Sequence, residues 1–224
     1  MNVRDMALKE FVDSRHKALD DDLAALRRSN ESEGVPLILA ETEEILDLLT
    51  DLTRPRRILE IGTAHGYSAL FFARKLPGVH ITTIERNPAM IVYAEAEFAS
   101  REEGSRIDLR TGDAGEILSG LAEELADSDE SEKYDFVFID AAKSHYREFL
   151  ELAEKICTRD ALIVCDNILL KGWIIECDGE AAKRHRTSIK YMKKFLDYLK
   201  EREDLDVSIL TGGDGLAVIR FRNE

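Results

Sequence analysis

Acidic and amide side chains recur where the short apolar runs of this sequence end. Five successive runs are closed or followed by such residues, namely Glu60, Glu85, Asp113, Asp140 and the pair Asp166 and Asn167. If the runs are parallel β-strands, their carboxyl ends meet at one edge of the sheet, where open α/β sheets bind ligands. One acid after a strand is unremarkable, but the whole set predicts a ligand site.

The last two runs offer oxygen ligands for a hard divalent cation. Asp140 closes one run, and Asp166 and Asn167 close the next. Two carboxylates and an amide oxygen suit Mg²⁺, Mn²⁺ or Ca²⁺ and are poor ligands for zinc or copper. A strand-end turn explains Asp166 and Asn167 equally well when they are taken alone. With Asp140 on the neighbouring strand, we favour the metal site.

A lysine three residues after Asp140 is the candidate base. Lys143 lies near the predicted start of a helix, although most lysines are simply exposed. Beside a divalent cation the ammonium form is disfavoured, so the neutral amine becomes available to take a proton. His65 and His145 are weaker candidates, because a lone helical histidine is more often exposed without a role.

A glycine turn follows the first apolar run. Gly62 and Gly66 stand between this run and a helix-like segment that begins near Ser68. Glycine lets the backbone turn sharply and lets a ligand approach where a Cβ would collide. The spacing is not G-x-G-x-x-G, so a pyrophosphate cradle is not indicated.

The strand ends fit a nucleoside better than a dinucleotide. Glu85 follows the glycine turn by about twenty residues, where an acid accepts hydrogen bonds from ribose hydroxyls. NAD is the first candidate, but it needs the pyrophosphate cradle. The segment Gly112-Asp113-Ala114 offers a carboxylate to an exocyclic amine and a backbone N–H to a ring nitrogen, as adenine requires. S-adenosylmethionine, an adenosine that carries a sulfonium, meets these conditions and suits the acidic surroundings.

Strands and helices alternate along the part of the chain that carries these residues. The pattern predicts strands over 57–61, 80–84, 107–110, 135–139 and 161–165, with helices over 67–75, 88–103, 115–126 and 144–157 between them. A helix over 186–202 precedes a hairpin of strands 206–210 and 216–221. We therefore predict an α/β, doubly wound, mostly parallel seven-stranded sheet of Rossmann-like type with a C-terminal antiparallel hairpin.

Two further segments lie outside this alternation. Residues 5–28 have apolar side chains at helical spacing and predict one or two amphipathic helices, which a polar break at 29–34 ends. A helix over 41–52 follows, so we divide the chain into N-terminal helices (1–34) and a main domain (35–224). Residues 168–182 predict a long loop that carries the only tryptophan, Trp173.

Composition and charge limit the classes of protein to which the chain can belong. The 224 residues are 44% hydrophobic and 34% charged, which fits a globular domain. No apolar run reaches the ~20 residues of a membrane span, and no secretory signal is apparent; we expect a cytoplasmic protein without a membrane partner. The three cysteines, Cys157, Cys165 and Cys177, include no C-x-x-C pair and suggest neither disulfides nor zinc.

The net charge of −14 argues against non-specific binding to nucleic acid, yet the charge is unevenly spread. Residues 183–194, here called the basic cluster, carry six positive charges and no acid. A solvated helix face is the common explanation of such a cluster.

From about Val35 to Phe221 the chain resembles the cation-dependent O-methyltransferases, the family of catechol and caffeoyl-CoA O-methyltransferases. The resemblance rests on the motifs Leu59 to Ser68, Gly112 to Ala114, Phe138 to Lys143, and Asp166 with Asn167. It implies a class I methyltransferase fold that uses S-adenosylmethionine and Mg²⁺ (or Mn²⁺ or Ca²⁺).

The resemblance also implies site residues. Lys143 is the implied catalytic base, and Asp140, Asp166 and Asn167 are the implied metal ligands. Ser68 and Glu85 hold the methionine and ribose parts of the cofactor, and the backbone near Ile38 closes over it. The implied cofactor-binding set is Ile38, Glu60, Gly62, Gly66, Ser68, Glu85, Asp113, Ala114 and Asp140.

Within the family, the chain is most similar to the bacterial tRNA 5-hydroxyuridine methyltransferases. The shared features are Thr83 to Asn87, the Arg184-His185-Arg186 cluster and the ending Gly213 to Ala217. Ser144 and His145 depart from the commoner Gly-Gln. The implied product is 5-methoxyuridine at the tRNA wobble position. A catechol and 5-hydroxyuridine can share one site, because O4 and O5 of 5-hydroxyuridine are adjacent, like the two oxygens of a catechol.

Three functions stay open at this point. In the favoured one, Arg184, Arg186 and Trp173 bind the substrate, and the basic cluster holds anticodon-stem phosphates while the wobble base is splayed out. The alternative is a small catechol or caffeoyl-CoA type substrate, for which the basic cluster is dispensable. A non-catalytic nucleoside-binding domain is disfavoured by the intact ligand set and Lys143. The N-terminal helices suggest a homodimer contact.

Overall fold

The computed structural model describes residues 11–12, 14–175 and 180–222, and for residues 181 and 182 only the main chain. The helices are α1 (Asp21–Glu33), α2 (Ala40–Thr53), α3 (Tyr67–Lys75), α4 (Pro88–Ala99), α5 (Ala114–Glu124), α6 (Tyr146–Ile156), α7 (Glu180–Arg184) and α8 (Arg186–Glu201). The strands are β1 (Arg57–Ile61), β2 (His80–Glu85), β3 (Ile107–Thr111), β4 (Tyr134–Ile139), β5 (Cys157–Cys165), β6 (Leu205–Leu210) and β7 (Leu216–Phe221). No helix within these ranges is long and apolar enough to cross a membrane.

The strands form one sheet in the order β3-β2-β1-β4-β5-β7-β6. Strands β1 to β5 pair in parallel, and β7 runs antiparallel to both β5 and β6. The predicted α/β fold, with its mostly parallel seven-stranded sheet and C-terminal hairpin, is confirmed.

Helices cover both faces of the sheet, as the side chains of β4 illustrate. Val137 and Ile139 pack in the cluster that includes α5, α6 and α8, whereas Phe136 and Phe138 pack in the cluster that includes α3. All four are fully buried. Successive side chains of a strand point to opposite faces, so a continuous apolar run indicates a strand that is covered on both sides.

The sheet has a crevice between the carboxyl ends of β1 and β4. From β1 the chain moves outward to β2 and β3, and it then returns to the other side of β1 with β4. Sheets of this kind bind ligands at such a reversal point. The segments that leave the two strands are in close contact here, because a Cβ on Gly62 would lie 2.1 Å from the carbonyl oxygen of Asp140. Gly62 also has a φ of +103°, so this position requires glycine.

We expect Gly62→Ala to lower the free energy of unfolding by about 2–4 kcal/mol, because the left-handed backbone and the overpacking each carry a cost. Gly120→Ala is the matched control, since Gly120 lies within α5 and an added Cβ would meet none of the other described residues within 4 Å beyond the adjacent backbone of the helix itself. The control should be about 0.5–1 kcal/mol more stable than the wild type. Urea unfolding of both variants tests this, and equal stabilities would contradict it.

The polar segment 29–34 does not end the N-terminal helix, contrary to the prediction. Helix α1 continues to Glu33, and Gly34 caps it in the left-handed conformation. Asn30 is buried, and its Oδ1 lies 3.0 Å from Nδ1 of His65. Asn30 therefore does not interrupt the helix, because its side chain has a polar partner, His65, in the turn after β1.

Three further boundaries differ from the prediction. α4 ends at Ala99 rather than near 103, since the chain folds back and Gly104 lies against the backbone of Phe98. β5 begins at Cys157 rather than 161, because a bulge lets both ends of the strand pair with β4. The predicted loop 168–182 contains a short turn at Leu170–Gly172 and the start of α7. Residues 176–179, with Cys177, lie outside the described residues.

Helix α1 packs on the same core as the main domain. Leu23 and Leu26 are buried in the cluster that includes α3. Residues 1–10 and 13 lie outside the described residues, so part of the predicted N-terminal helices is not described. The boundary at residue 34 and the homodimer contact stay predictions.

Candidate active site

A cavity of about 290 Å³ opens at the carboxyl ends of β1, β2, β3 and β4. It is lined by most of the predicted cofactor-binding residues, which are Ile38, Gly62, Ser68, Glu85, Asp113, Ala114 and Asp140. Asn167 lines it as well. Residues from six segments that are distant in sequence therefore meet in one cavity, as the strand-end pattern predicted.

Glu85 fixes the shape of the glycine turn. One of its carboxylate oxygens accepts hydrogen bonds from the main-chain N–H of Thr63 (3.3 Å) and of Ala64 (2.9 Å). The other accepts from the N–H of Arg86 (2.9 Å) and of Asn87 (2.8 Å). The side chain thus joins the turn after β1 to the end of β2, on the cavity wall where the ribose was predicted.

Glu60 lies behind the cavity rather than on its wall. Its carboxylate is fully buried and accepts hydrogen bonds from the hydroxyls of Ser68 and Thr83. Burial raises its pKa to about 7. Glu60 therefore contacts the cavity through Ser68. Gly66 does not line the cavity either; it begins α3 with a φ of +85°, and a Cβ there would lie 2.5 Å from the ring of Phe98.

We expect Glu60→Gln to remove part of the pH dependence of stability. The pKa of Glu60 rises from 4.5 to about 7 on folding, so the folded state binds the proton more tightly than the unfolded state. The contribution of Glu60 to stability is then lost as the pH rises from 4.5 to about 7, by about 3 kcal/mol. Glu60→Gln should lack this loss in urea unfolding between pH 5 and pH 8. Glu95→Gln, at an exposed position of α4, should follow the wild type; parallel curves for Glu60→Gln and the wild type would contradict the prediction.

Lys143 joins the two predicted metal-ligand segments. Its Nζ donates hydrogen bonds to Oδ1 of Asp140 (2.9 Å) and to Oδ1 of Asn167 (2.9 Å). It also donates to the hydroxyl of Tyr146 at 2.7 Å. That hydroxyl in turn donates to the main-chain oxygen of Asp166 at 2.8 Å, and burial raises the pKa of Tyr146 well above its usual value. Lys143 itself is not among the residues that line the cavity.

Asp166 is a buried carboxylate whose two oxygens differ in their partners. Its Oδ1 accepts from the N–H of Asn167 at 2.6 Å, but the buried Oδ2 has no hydrogen-bond partner among the described residues. Burial, reinforced by the charge of Asp140, raises the pKa of Asp166 to about 7. An unpaired buried carboxylate oxygen is rare, and a cation is a fitting partner for it.

The three predicted ligands fit a hard divalent cation. Asp140 and Asn167 already share one cationic partner, the ammonium of Lys143, and the unpaired oxygen of Asp166 belongs to the same segment as Asn167. The donor set is all oxygen, as Mg²⁺ and Ca²⁺ require. Among the described residues no group of three or more His, Cys, Asp or Glu side chains is placed to hold a metal, so the amide of Asn167 is needed to complete this set.

Sequence reasoning missed the residues that hold the segment over the cavity. Arg27 of α1 donates to the carbonyl oxygen of Ile38 at 3.0 Å and pairs with Glu43. Tyr67 lines the cavity and donates to the same Glu43 at 2.7 Å. This buried network fixes the main chain at Ile38, the position predicted to close over the cofactor. An arginine in an amphipathic helix carries no signal of such a role in a single sequence.

The two histidines that were weaker candidates both line the cavity. His65 is buried, bonds Asn30, and stacks on Tyr93 with ring centroids 4.3 Å apart. His145 is half exposed, and its Nδ1 lies 2.8 Å from a carboxylate oxygen of Glu148. The His145 ring also stacks on Phe149, with ring centroids 5.7 Å apart, so neighbouring side chains hold both histidines in place.

The predicted substrate-binding residues lie together but outside the cavity wall. Trp173 stacks on His185, with ring centroids 4.1 Å apart and an interplanar angle of 13°. Arg184 and Arg186, on either side of His185, are exposed. Arg184 lies 3.9 Å from Glu180, a weak contact between exposed groups. The stack therefore connects Trp173, which lies in the segment predicted as a loop, to the basic cluster.

Comparisons with known proteins agree with this site. The model of a family described as O-methyltransferase matches residues 15–222. A catechol O-methyltransferase from Niastella koreensis is 34% identical over 160 residues, which are 70% of each chain. The structure of a putative caffeoyl-CoA O-methyltransferase from Staphylococcus aureus matches with a TM-score of 0.85 and 27% identity over 96% of this chain and 100% of that one.

A further solved structure carries a bound methyl donor. The O-methyltransferase TomG from Streptomyces achromogenes, involved in tomaymycin synthesis, was solved in complex with SAM. It matches with a TM-score of 0.80 and 25% identity over 100% of both chains. The predicted resemblance is confirmed at the level of the family, and the narrower similarity to tRNA 5-hydroxyuridine methyltransferases stays a prediction. The chain belongs to the O-methyltransferase family of the catechol and caffeoyl-CoA O-methyltransferases.

Proposed function

We propose that the protein transfers a methyl group from S-adenosylmethionine to a hydroxyl that stands beside a second metal-binding oxygen. The observation that carries this proposal is the position of Lys143, whose Nζ lies 2.9 Å from both Asp140 and Asn167. A base is thereby held beside a site for a cation, at the edge of a cavity of the size that cofactors occupy.

The cavity residues suit S-adenosylmethionine, which supplies the methyl group from its sulfonium. Glu85 and Asp113, on the walls at the ends of β2 and β3, suit ribose and adenine. Ser68 is held by the carboxylate of Glu60 at the start of α3. The binding of SAM by TomG supports this assignment.

Asp140, Asp166 and Asn167 are the proposed ligands of Mg²⁺. A divalent cation supplies Lewis-acid chemistry, which makes a hydroxyl easier to ionise. In the proposed reaction Lys143, as the base, takes the proton of the substrate hydroxyl at Nζ, and the substrate oxygen forms a bond to the methyl carbon as the C–S bond of the donor breaks.

The favoured acceptor is 5-hydroxyuridine at the wobble position of a tRNA, which would become 5-methoxyuridine. The support is the exposed basic cluster in an otherwise acidic protein: Arg186, Lys190, Lys193 and Lys194 form no ion pair with an acid among the described residues. Phosphates are the natural partners of such a surface. The second candidate is a small catechol-like acceptor, which is favoured by the names of the relatives.

Substituting Arg184 and Arg186 by Ala separates the two acceptors. For tRNA we expect KM to rise about 10- to 100-fold, because contacts between arginine and phosphate are lost. For a catechol we expect no change. The matched control is Arg56→Ala, since Arg56 is 77% exposed. It lies just before the amino end of β1, whereas the cavity lies at the carboxyl ends of the strands. Equal activity of the double variant and the wild type on tRNA would favour the small-molecule acceptor.

A further inference from the structure

A second cavity of about 290 Å³ lies between α6 and α8. Its wall includes Lys143 and Ser144 of the turn that leads into α6, and Tyr191 and Lys194 of α8. The first cavity uses the neighbouring residues of the same turn, Ala142 and His145. One turn thus separates the two cavities, and Lys143 connects them, because its Nζ bonds Asp140 and Asn167 on the wall of the first.

The second cavity has a basic side chain, Lys194, without an acidic partner among the described residues. Of the two acids on the wall, Glu151 pairs with Arg147 at 2.8 Å, and a carboxylate oxygen of Glu148 lies 2.8 Å from Nδ1 of His145. Lys194 is exposed and forms no ion pair with any acid in the part of the chain that the structure describes. An anion that enters the cavity therefore finds a free ammonium.

The same cavity offers an aromatic ring to a planar ligand. Tyr191 is 43% exposed, and no aromatic partner in the described ranges stacks on it. Phe195 of the next turn is buried and packs edge-on against Tyr146 at 5.6 Å, so it anchors this part of α8 to the turn of Lys143. Bases of single-stranded nucleic acid stack on exposed rings of this kind irrespective of their sequence.

A stripe of positive charge leads along α8 to the cavity. Arg186, Lys190 and Lys194 follow one another at intervals of four residues and are all exposed, so they lie on one face of the helix. Eight residues of helix span about 12 Å. The stripe begins beside His185, which stacks on Trp173, and ends at Lys194 on the cavity wall.

We infer that the second cavity is a subsite for the nucleotide next to the methylated one, with its base stacked on Tyr191 and its phosphate on Lys194. The inference rests on the proposed function, since it assumes an RNA acceptor. If the target base of an RNA reaches Lys143 from the first cavity, only the turn at 143–145 separates the adjacent nucleotide from the second cavity. The stripe continues the path of the backbone away from the site.

The test measures binding of a labelled anticodon stem-loop RNA by fluorescence anisotropy at several salt concentrations, together with methylation of the same RNA carrying 5-hydroxyuridine. We expect Tyr191→Ala to weaken binding about 5- to 100-fold and Tyr191→Phe, which keeps the ring, to bind like the wild type. Lys194→Ala should lower the slope of log K against log salt by about 0.7. Lys200→Ala, at an exposed position in the last turn of α8, is the matched control and should change neither quantity.

The outcomes separate the subsite from the proposed function. If the wild type methylates the RNA but Tyr191→Ala and Lys194→Ala behave like Lys200→Ala, the subsite is wrong and the RNA acceptor stands. If the wild type leaves the hydroxyuridine RNA unmodified, the proposed acceptor is wrong, and the subsite with it. Affinity for S-adenosylmethionine, measured by calorimetry, should be unchanged in all variants; a parallel loss would indicate general damage and would also overturn the inference.

Discussion

Replacing Lys143 by methionine is expected to lower kcat by about 10²- to 10⁴-fold, the usual contribution of a general base. Methionine has a similar length but neither accepts a proton nor donates to Asp140 and Asn167. The expected loss is larger than that of any surface substitution, because no other amine lies among the hydrogen-bond partners of Asp140 and Asn167 in the described residues. Steady-state methyl transfer, with any acceptor that the wild type uses, measures the effect.

Binding of S-adenosylmethionine should survive this change, since Lys143 does not line the first cavity. Calorimetric titration of the variant checks this point. Lys133→Met is the control, because Lys133 lies in the loop before β4 and pairs there with Glu130 at 2.9 Å, away from Asp140 and Asn167. An activity of Lys143→Met within tenfold of the wild type would contradict its role as the base, as would a loss of cofactor affinity that accounts for the whole loss of rate.

Asp166→Asn is expected to lower activity by about 10²- to 10⁴-fold, in line with the several kcal/mol that a Lewis-acid cation contributes. The amide has the shape of the carboxylate, so the fold should persist. It removes a negative charge from a buried group whose Oδ2 has no hydrogen-bond partner in the part of the chain that the structure describes. Removal of the cation from the wild type by a chelator should produce a loss of the same size, and added Mg²⁺ should reverse it.

A readout independent of activity is the affinity for Mn²⁺, measured by electron paramagnetic resonance. We expect weaker binding by Asp166→Asn and unchanged binding by Asp160→Asn, which alters an exposed acid of β5. Activity that survives both chelation and Asp166→Asn would rule out the metal-dependent mechanism. Tight Mn²⁺ binding by the variant would remove Asp166 from the ligand set.

The sheet could be predicted from the sequence because its evidence is periodic and local. Apolar runs such as 135–139 have the length of strands, and each is separated from the next by a helical pattern. Parallel strands then bring their carboxyl ends together regardless of the details. That geometry explains why Asp140 and Asn167, which are far apart in sequence, were expected to meet and do share Lys143.

What could not be predicted depends on side-chain direction and on distant partners. Glu60 precedes the last residue of β1, and its side chain turns into the protein toward Ser68 and Thr83 rather than into the cavity. Asn30 looked like part of a polar break because its partner, His65, lies on another element. The second cavity arises only when α8 packs beside the turn of Lys143, a contact that no local pattern encodes.

The most direct test of the central claim is mass spectrometry of tRNA nucleosides after incubation with the purified protein. The tRNA should carry 5-hydroxyuridine, and the reaction should contain S-adenosylmethionine and Mg²⁺. We predict that 5-hydroxyuridine is converted to 5-methoxyuridine and that a chelator prevents the conversion. Unchanged 5-hydroxyuridine, in a preparation that methylates a catechol, would contradict the RNA assignment and leave the small-molecule acceptor.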